Sequence, residues 1–167
     1  RAKLEALPPF EGGGEMIETV TRDKVTYNAP PHRFEAGTPP IVEAIGLGAA
    51  IRWVENLDRP AVYAHKQALL EKAAKALHGI NGLTIHGTAP GKGPVLTFSI
   101  EGVHPHDIAQ ILDRQGVAIR AGHHCAQPLM SHLGVTATAR ASFALYNTAD
   151  EIDVFAEALS KARAMLS

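Results

Sequence analysis

The run Arg120-Ala121-Gly122-His123-His124-Cys125-Ala126-Gln127-Pro128-Leu129-Met130 holds the chain's single cysteine, next to two histidines and near an arginine. Only a thiolate is a nucleophile, and nearby cations lower a thiol's pKa, so Arg120, His123 and His124 suit a reactive Cys125. The polar, glycine-flanked setting predicts an exposed loop leaving a strand. The competing role is a buried thiol acting as a small hydrophobe, the commoner fate of a lone cysteine. Metal ligation by His104, His106, His123, His124, Cys125 and His132 is disfavoured. Structural zinc sites use paired ligands at C-x-x-C or H-x-x-x-H spacings, and adjacent histidines point apart. No metal is expected.

A second arginine lies downstream. Ala141, Phe143 and Leu145 alternate with Arg140, Ser142 and Ala144, which predicts a strand with Arg140 on the face opposite Phe143. A planar guanidinium holds a carboxylate through two parallel hydrogen bonds, whereas the plainer role is a surface arginine on an edge strand. Thr38 precedes Pro39 and is read as a helix cap with Pro39 at the first helical position. The same hydroxyl and unpaired amides also make an anion seat. Gly12, Gly13 and Gly14 lack the G-x-x-x-x-G-K-[ST] pattern of a nucleotide phosphate loop and are read as a tight turn.

The elements that must position these residues follow from periodicity. Residues 1–40 carry Pro8-Pro9, Gly12-Gly13-Gly14, Pro30-Pro31 and Pro39-Pro40 and read as mostly loop. Ile41, Ile45, Gly48, Ile51 and Val54 recur as one helix face. Trp53 in that helix is assigned to packing rather than to a ligand. Asp58-Arg59-Pro60 breaks the pattern, and Val62, Lys66, Leu69, Ala73 and Leu77 mark a second helix. Leu83–Gly87 is a short strand, and Leu96, Phe98 and Ile100 alternate in another. Ile108, Ile111 and Leu112 form a helix ended by Gly116, and Val117 and Ile119 open a third strand. The fourth strand carries Arg140. Thr148-Ala149-Asp150-Glu151 is a capping box for a last helix whose apolar stripe is Ile152, Phe155, Leu159 and Leu166. The expected fold is α+β, a four-strand sheet with helices on one face. The expected divisions are a loop-rich tail over 1–40, a connecting helix over 41–57 and an α+β domain over 58–167.

Charge and composition exclude several classes. Sixteen Lys and Arg against 17 Asp and Glu give no field suited to nucleic acid or an anionic membrane. No apolar run reaches the roughly 18 residues of a membrane span, and the first residues lack a signal-peptide core, so a cytoplasmic location is expected.

The string Arg-x-Gly-His-His-Cys-Ala-x-Pro-Leu-Met resembles the persulfide-site loop of group II, SufS-like cysteine desulfurases. Pro8-Pro9-Phe10-Glu11-Gly12-Gly13-Gly14-Glu15-Met16-Ile17, Arg33-Phe34-Glu35-Ala36-Gly37-Thr38-Pro39 and Arg140-Ala141-Ser142-Phe143-Ala144-Leu145-Tyr146-Asn147 resemble stretches of the same family in the same order. The resemblance implies a fold-type-I, pyridoxal-phosphate-dependent enzyme of the class V aminotransferase group. Such an enzyme works as a homodimer and converts L-cysteine to L-alanine, with the sulfur left on Cys125 as a persulfide. A SufE-like or SufU-like acceptor then takes that sulfur toward iron–sulfur cluster assembly. The resemblance also implies that Arg140 binds the substrate carboxylate and that Thr38 reaches the cofactor phosphate across the dimer. It gives Arg120, His123 and His124 a supporting place in the Cys125 loop, and puts the Gly12–Gly14 turn near the dimer interface.

One departure matters. The family's cofactor lysine follows a histidine in a Ser-Gly-His-Lys-type context, and no lysine here has it. His65-Lys66 is the sole His-Lys pair and lies inside a helix. The chain is therefore expected to be the C-terminal part of such an enzyme, with 1–40 a remnant of its large domain, and to be inactive alone. The enzymatic alternatives are a selenocysteine lyase or a kynureninase-like relative, and the alternative from another class is a non-catalytic binding or dimerisation module.

Overall fold

Up to Leu57 the chain builds little that is hidden from solvent. The structure, a computed structural model, describes residues 1–166, and its backbone falls into two units, Arg1–Leu57 and Asp58–Ser167. The first unit holds α1 (Ala2–Ala6), the antiparallel hairpin of β1 (Ile17–Val20) and β2 (Val25–Tyr27), a 3-10 turn over His32–Phe34 and α2 (Ile41–Glu55). The hairpin departs from the expected loop. At four and three residues its strands are too short to declare a period. Its turn is closed by Thr21, whose amide donates to the Lys24 carbonyl (2.8 Å) and whose Oγ1 accepts from the Lys24 amide (3.0 Å).

Thr38 does not cap α2. The helix begins at Ile41 with Pro40 in the cap position and no side-chain cap bond. A proline biases the residue before it away from helical backbone, so Pro40 keeps Pro39 out of the helix. The glycine turn is tied to the segment before Thr38, because the Gly37 amide donates to the Gly14 carbonyl at 2.9 Å. A Cβ on Gly13 would stand 3.1 Å from the Gly37 nitrogen, a tight contact that a glycine avoids. Arg33 braces the same unit, with Nη1 donating to the Glu5 carbonyl (2.9 Å) and Nε to the Asn28 carbonyl (3.1 Å).

The second unit runs α3 (Arg59–Leu77), β3 (Leu83–His86), β4 (Val95–Ile100), α4 (Pro105–Asp113), β5 (Arg120–Gly122), α5 (Gln127–Leu133), β6 (Thr138–Ser142) and α6 (Ala149–Met165). Asp58 caps α3 by accepting from the Ala61 amide. The sheet is antiparallel throughout, in the order β3-β4-β6-β5. Alternation works as expected in β4, where Leu96, Phe98 and Ile100 are all buried. They meet Leu69, Ala73 and Leu77 of α3, Ile108 and Leu112 of α4, and Ile152, Phe155 and Leu159 of α6 in one core. Phe98 and Phe155 pack as tilted rings 6.2 Å apart. The capping box of α6 forms, with Thr148 Oγ1 accepting from the Glu151 amide and Glu151 Oε2 accepting from the Thr148 amide.

The expected α+β class holds, with four corrections of detail. Val117 and Ile119 precede β5 rather than open it. β6 starts at Thr138 and ends at Ser142, so Phe143 and Leu145 follow the strand. Leu166 packs against the core from just beyond α6 rather than within it. Between β5 and β6 lies α5, which the sequence reading passed over. It puts Met130 against Thr138, on the sheet face opposite Ala139 and Ala141, so helices are not confined to one face.

Candidate functional site

β5 and β6 set two arginines side by side. In β6, Ala139 and Ala141 enter the core while Thr138 and Arg140 point to the other face. Across the ladder Arg120 pairs with Arg140, and Gly122 with Thr138. Like charges directly opposite repel, yet no ion pair among the described residues uses either guanidinium. Arg140 Nε is buried without a partner. A buried donor left unmade costs free energy of about 1–3 kcal/mol, more for a charged group. Two cations with an unspent N–H form a receptor for an anion, and a carboxylate matches the fork geometry.

Cys125 is exposed, at the tip of a tight turn. The Ala126 amide donates to the His123 carbonyl at 2.8 Å, and the two central residues have positive φ, His124 at 55° and Cys125 at 59°. Positive φ at both central positions marks a type I′ turn, which normally holds Asn-Gly. Side-chain-bearing residues there cost about 1–2 kcal/mol each. The loop is short, because β5 ends at Gly122 and α5 starts at Gln127.

His124 anchors this turn to the sheet. Its Nε2 lies 3.2 Å from the Thr138 carbonyl and 3.0 Å from Thr138 Oγ1. A carbonyl only accepts, so Nε2 carries the proton and Nδ1 presents a lone pair. Nδ1 is buried and has no partner. Burial, then the charge of Arg140, lowers the His124 pKa from its ordinary 6.5; the Thr138 carbonyl opposes the shift, while Arg120 and His123 add to it. His124 is therefore neutral near pH 7 and shares an electrostatic neighbourhood with both arginines. Cys125 follows it by one peptide bond.

The other candidate residues disperse. His123 is exposed beside the turn. Thr38 is exposed in the first unit. His104 caps α4, its Nδ1 accepting from the His106 amide, and His132 is exposed in α5. No group of three or more His, Cys, Asp or Glu among the described residues could hold a metal. Trp53, assigned to packing, is exposed within its unit. Sequence reasoning missed Thr138, buried with 0% exposure. Its signal was the period of two that puts it on the Arg140 face. The signal for α5 was Gly134, which closes the helix in the left-handed conformation at φ 69°.

The class-V aminotransferase profile matches residues 1–155. The chain belongs to that family. It is 49% identical over 162 residues to a probable cysteine desulfurase of Streptomyces coelicolor, covering 96% of this chain and 39% of that protein. To a probable cysteine desulfurase of Vibrio cholerae it is 47% identical over 161 residues, covering 96% and 40%. Among solved structures, the cysteine desulfurase CsdA of Escherichia coli (S-sulfonic acid) superposes with a TM-score of 0.81 at 38% identity, covering 98% of this chain and 41% of that one. The apo cysteine desulfurase of Thermococcus onnurineus NA1 gives 0.77 at 37% identity, covering 92% and 39%. The chain thus spans about two fifths of the length of these family members.

Proposed function

We propose that this chain is the thiol-bearing part of a cysteine desulfurase, in which Cys125 takes the sulfur of L-cysteine as a persulfide. The observation that carries this reading is an exposed thiol at the tip of a strained turn, one residue from a histidine that sits beside an arginine with an unspent N–H. The similarity to proteins named cysteine desulfurases over nearly the whole chain supports it.

Arg140 grips the substrate carboxylate, with Arg120 adding positive charge from the adjacent strand. The Cys125 thiolate attacks the sulfur of the bound cysteine. A sulfur–sulfur bond forms and the substrate carbon–sulfur bond breaks. The electron pair is left on carbon, which takes a proton and becomes alanine; pyridoxal phosphate bound in the complete enzyme would supply the electron sink for that pair. The net change is one thiol plus cysteine to one persulfide plus alanine. Exposure of Cys125 lets an acceptor protein of the SufE or SufU type approach and remove the sulfur for iron–sulfur cluster assembly, with the complete enzyme acting as a homodimer.

The family resemblance also calls for pyridoxal phosphate, with Thr38 on its phosphate. The lysines here do not fit its anchorage. Lys66 lies on α3, where the preceding His65 bonds the Asn147 carbonyl at 2.9 Å. Lys72 is committed to Asp153 and the Ala149 carbonyl, and Lys92 to the Gly87 carbonyl. The chain alone is expected to yield no alanine from cysteine and no cofactor imine.

The test is Cys125→Ala in the complete enzyme. Alanine production from L-cysteine is expected to fall by about 100-fold or more, and unchanged production overturns the reading. If cleavage of selenocysteine survives in the same variant, the thiol is specific to sulfur removal. If the Cys125 of the native enzyme shows no thiolate-dependent labelling at any pH near neutrality, the alternative of a non-catalytic module is favoured.

A further inference from the structure

The turn that carries Cys125 holds two residues in a backbone conformation neither prefers, so something outside the turn must hold them there. The one turn hydrogen bond, from the Ala126 amide to the His123 carbonyl, forms equally well in turns that need no positive φ. On one side Gly122, at φ 132°, takes the chain out of β5. On the other, α5 begins within two residues and is pinned by buried Met130. Between these fixed ends the sole side-chain hydrogen bonds from the turn to the sheet, among the described residues, are those of His124 to Thr138. Thr138 is the one buried polar residue among the described residues, with its Oγ1 also reaching Met130 Sδ at 3.9 Å. It therefore joins β6, α5 and the turn at a single point.

We infer that the His124–Thr138 hydrogen bond is a latch that holds the His124–Cys125 turn in its left-handed form and so aims the thiol. His124 is thus a positioning residue: it acts through backbone geometry, its Nε2 proton is spent on Thr138, and it has no proton to offer a reactant at that atom. The latch explains why a histidine, rather than the asparagine usual at the first central position of such a turn, stands here. An asparagine satisfies the backbone but is too short to reach across to a neighbouring strand. Released from the latch, the turn relaxes to negative φ and the thiol direction changes. Its purpose rests on the persulfide reading, whereas its existence does not.

The experiment reads the turn directly in the full chain by NMR. The Cys125 amide–Hα coupling and Cα and Cβ shifts report the sign of φ, and hydrogen exchange reports the Ala126 amide. The expected result is that His124→Ala loses positive φ at Cys125 and speeds Ala126 exchange about 10-fold or more relative to wild type. His124→Gln, whose amide can still donate to Thr138, is expected to restore most of both. Exchange of the β4 amides serves as the control for folding and is expected to stay unchanged in both variants. Retention of positive φ and of Ala126 protection in His124→Ala overturns the latch. So does an equal loss in His124→Ala and His124→Gln, which assigns the effect to ring packing. None of these readouts involves turnover, so the latch can fail while the desulfurase reading stands, and the reverse.

Discussion

The two units of this chain spend their apolar residues in opposite ways. In Asp58–Ser167, side chains from α3, β4, α4, β6 and α6 close over one another, and large residues such as Phe98, Leu77 and Leu159 are removed from water. In Arg1–Leu57, Met16 alone of the large apolar residues is buried, while Phe10 is 96% exposed and Ile41, Val42, Ile45, Leu47, Ile51, Trp53 and Val54 stand open along α2. Both regions are hydrophobic in composition. Within the second unit a four-strand sheet gives three helices a shared face to cover, whereas the first unit holds only a two-strand hairpin beside the open apolar side chains of α2. Binary pattern yields stability only where a second layer exists, and the Cys125 turn hangs from the unit that has one.

That contrast is sharpest under core truncation. Phe98→Ala removes a ring packed against Phe155 in the closed core and is expected to cost about 3–5 kcal/mol, read as a fall in the urea midpoint of the cooperative transition. A loss under about 1 kcal/mol would mean the second unit is as loosely built as the first.

A smaller effect is expected where the core is reached through a helix end. Thr148→Ala breaks the capping box of α6 and should lower stability by about 1 kcal/mol, measured in the same titration, with Glu151→Gln costing less because an amide oxygen still accepts from the Thr148 amide.

The histidine latch gives the second unit a pH response. Native His124 refuses a proton that the unfolded chain accepts, so between its lowered pKa and 6.5 the unfolded state binds more protons. Stability from this residue is complete above 6.5 and is lost as pH falls below it. Urea midpoints recorded from about pH 7.5 to about pH 5.5 should decline more steeply in wild type than in His124→Gln, and parallel slopes would remove His124 as the source.

The smallest effect belongs to the first unit. Ile45→Ser on the open face of α2 is expected to change stability of the chain by no more than about 0.5 kcal/mol. A loss several times larger in the same titration would break the comparison, since it would reveal a buried role for that face.

Alternation and capping residues mark much of the second unit in the sequence itself. The alternating burial of β4, the Asp58 break before α3 and the Thr148–Glu151 box all stand where pattern and capping chemistry put them. The misses have a common cause. β1, Ile-Glu-Thr-Val, does not alternate, β2 has only three residues, and the seven residues of α5 make about two helical turns, too few to show a face. β6 was displaced because a strand's limits are set by its partners, here β4 and β5, rather than by its own alternation. Thr38 stands outside the cap position because two prolines in a row shift the first helical residue beyond them.

The local residues by themselves determined which groups could react: one thiol, its histidines and two arginines, together with the elements long enough to show a period. Tertiary pairing alone decided that Arg120 stands opposite Arg140, that His124 finds Thr138, and that Cys125 rides on a left-handed turn. The arginine pairing and the His124–Thr138 bond join residues 14 apart or more. No local propensity specifies them, because they exist only once the sheet's register and its second layer are in place.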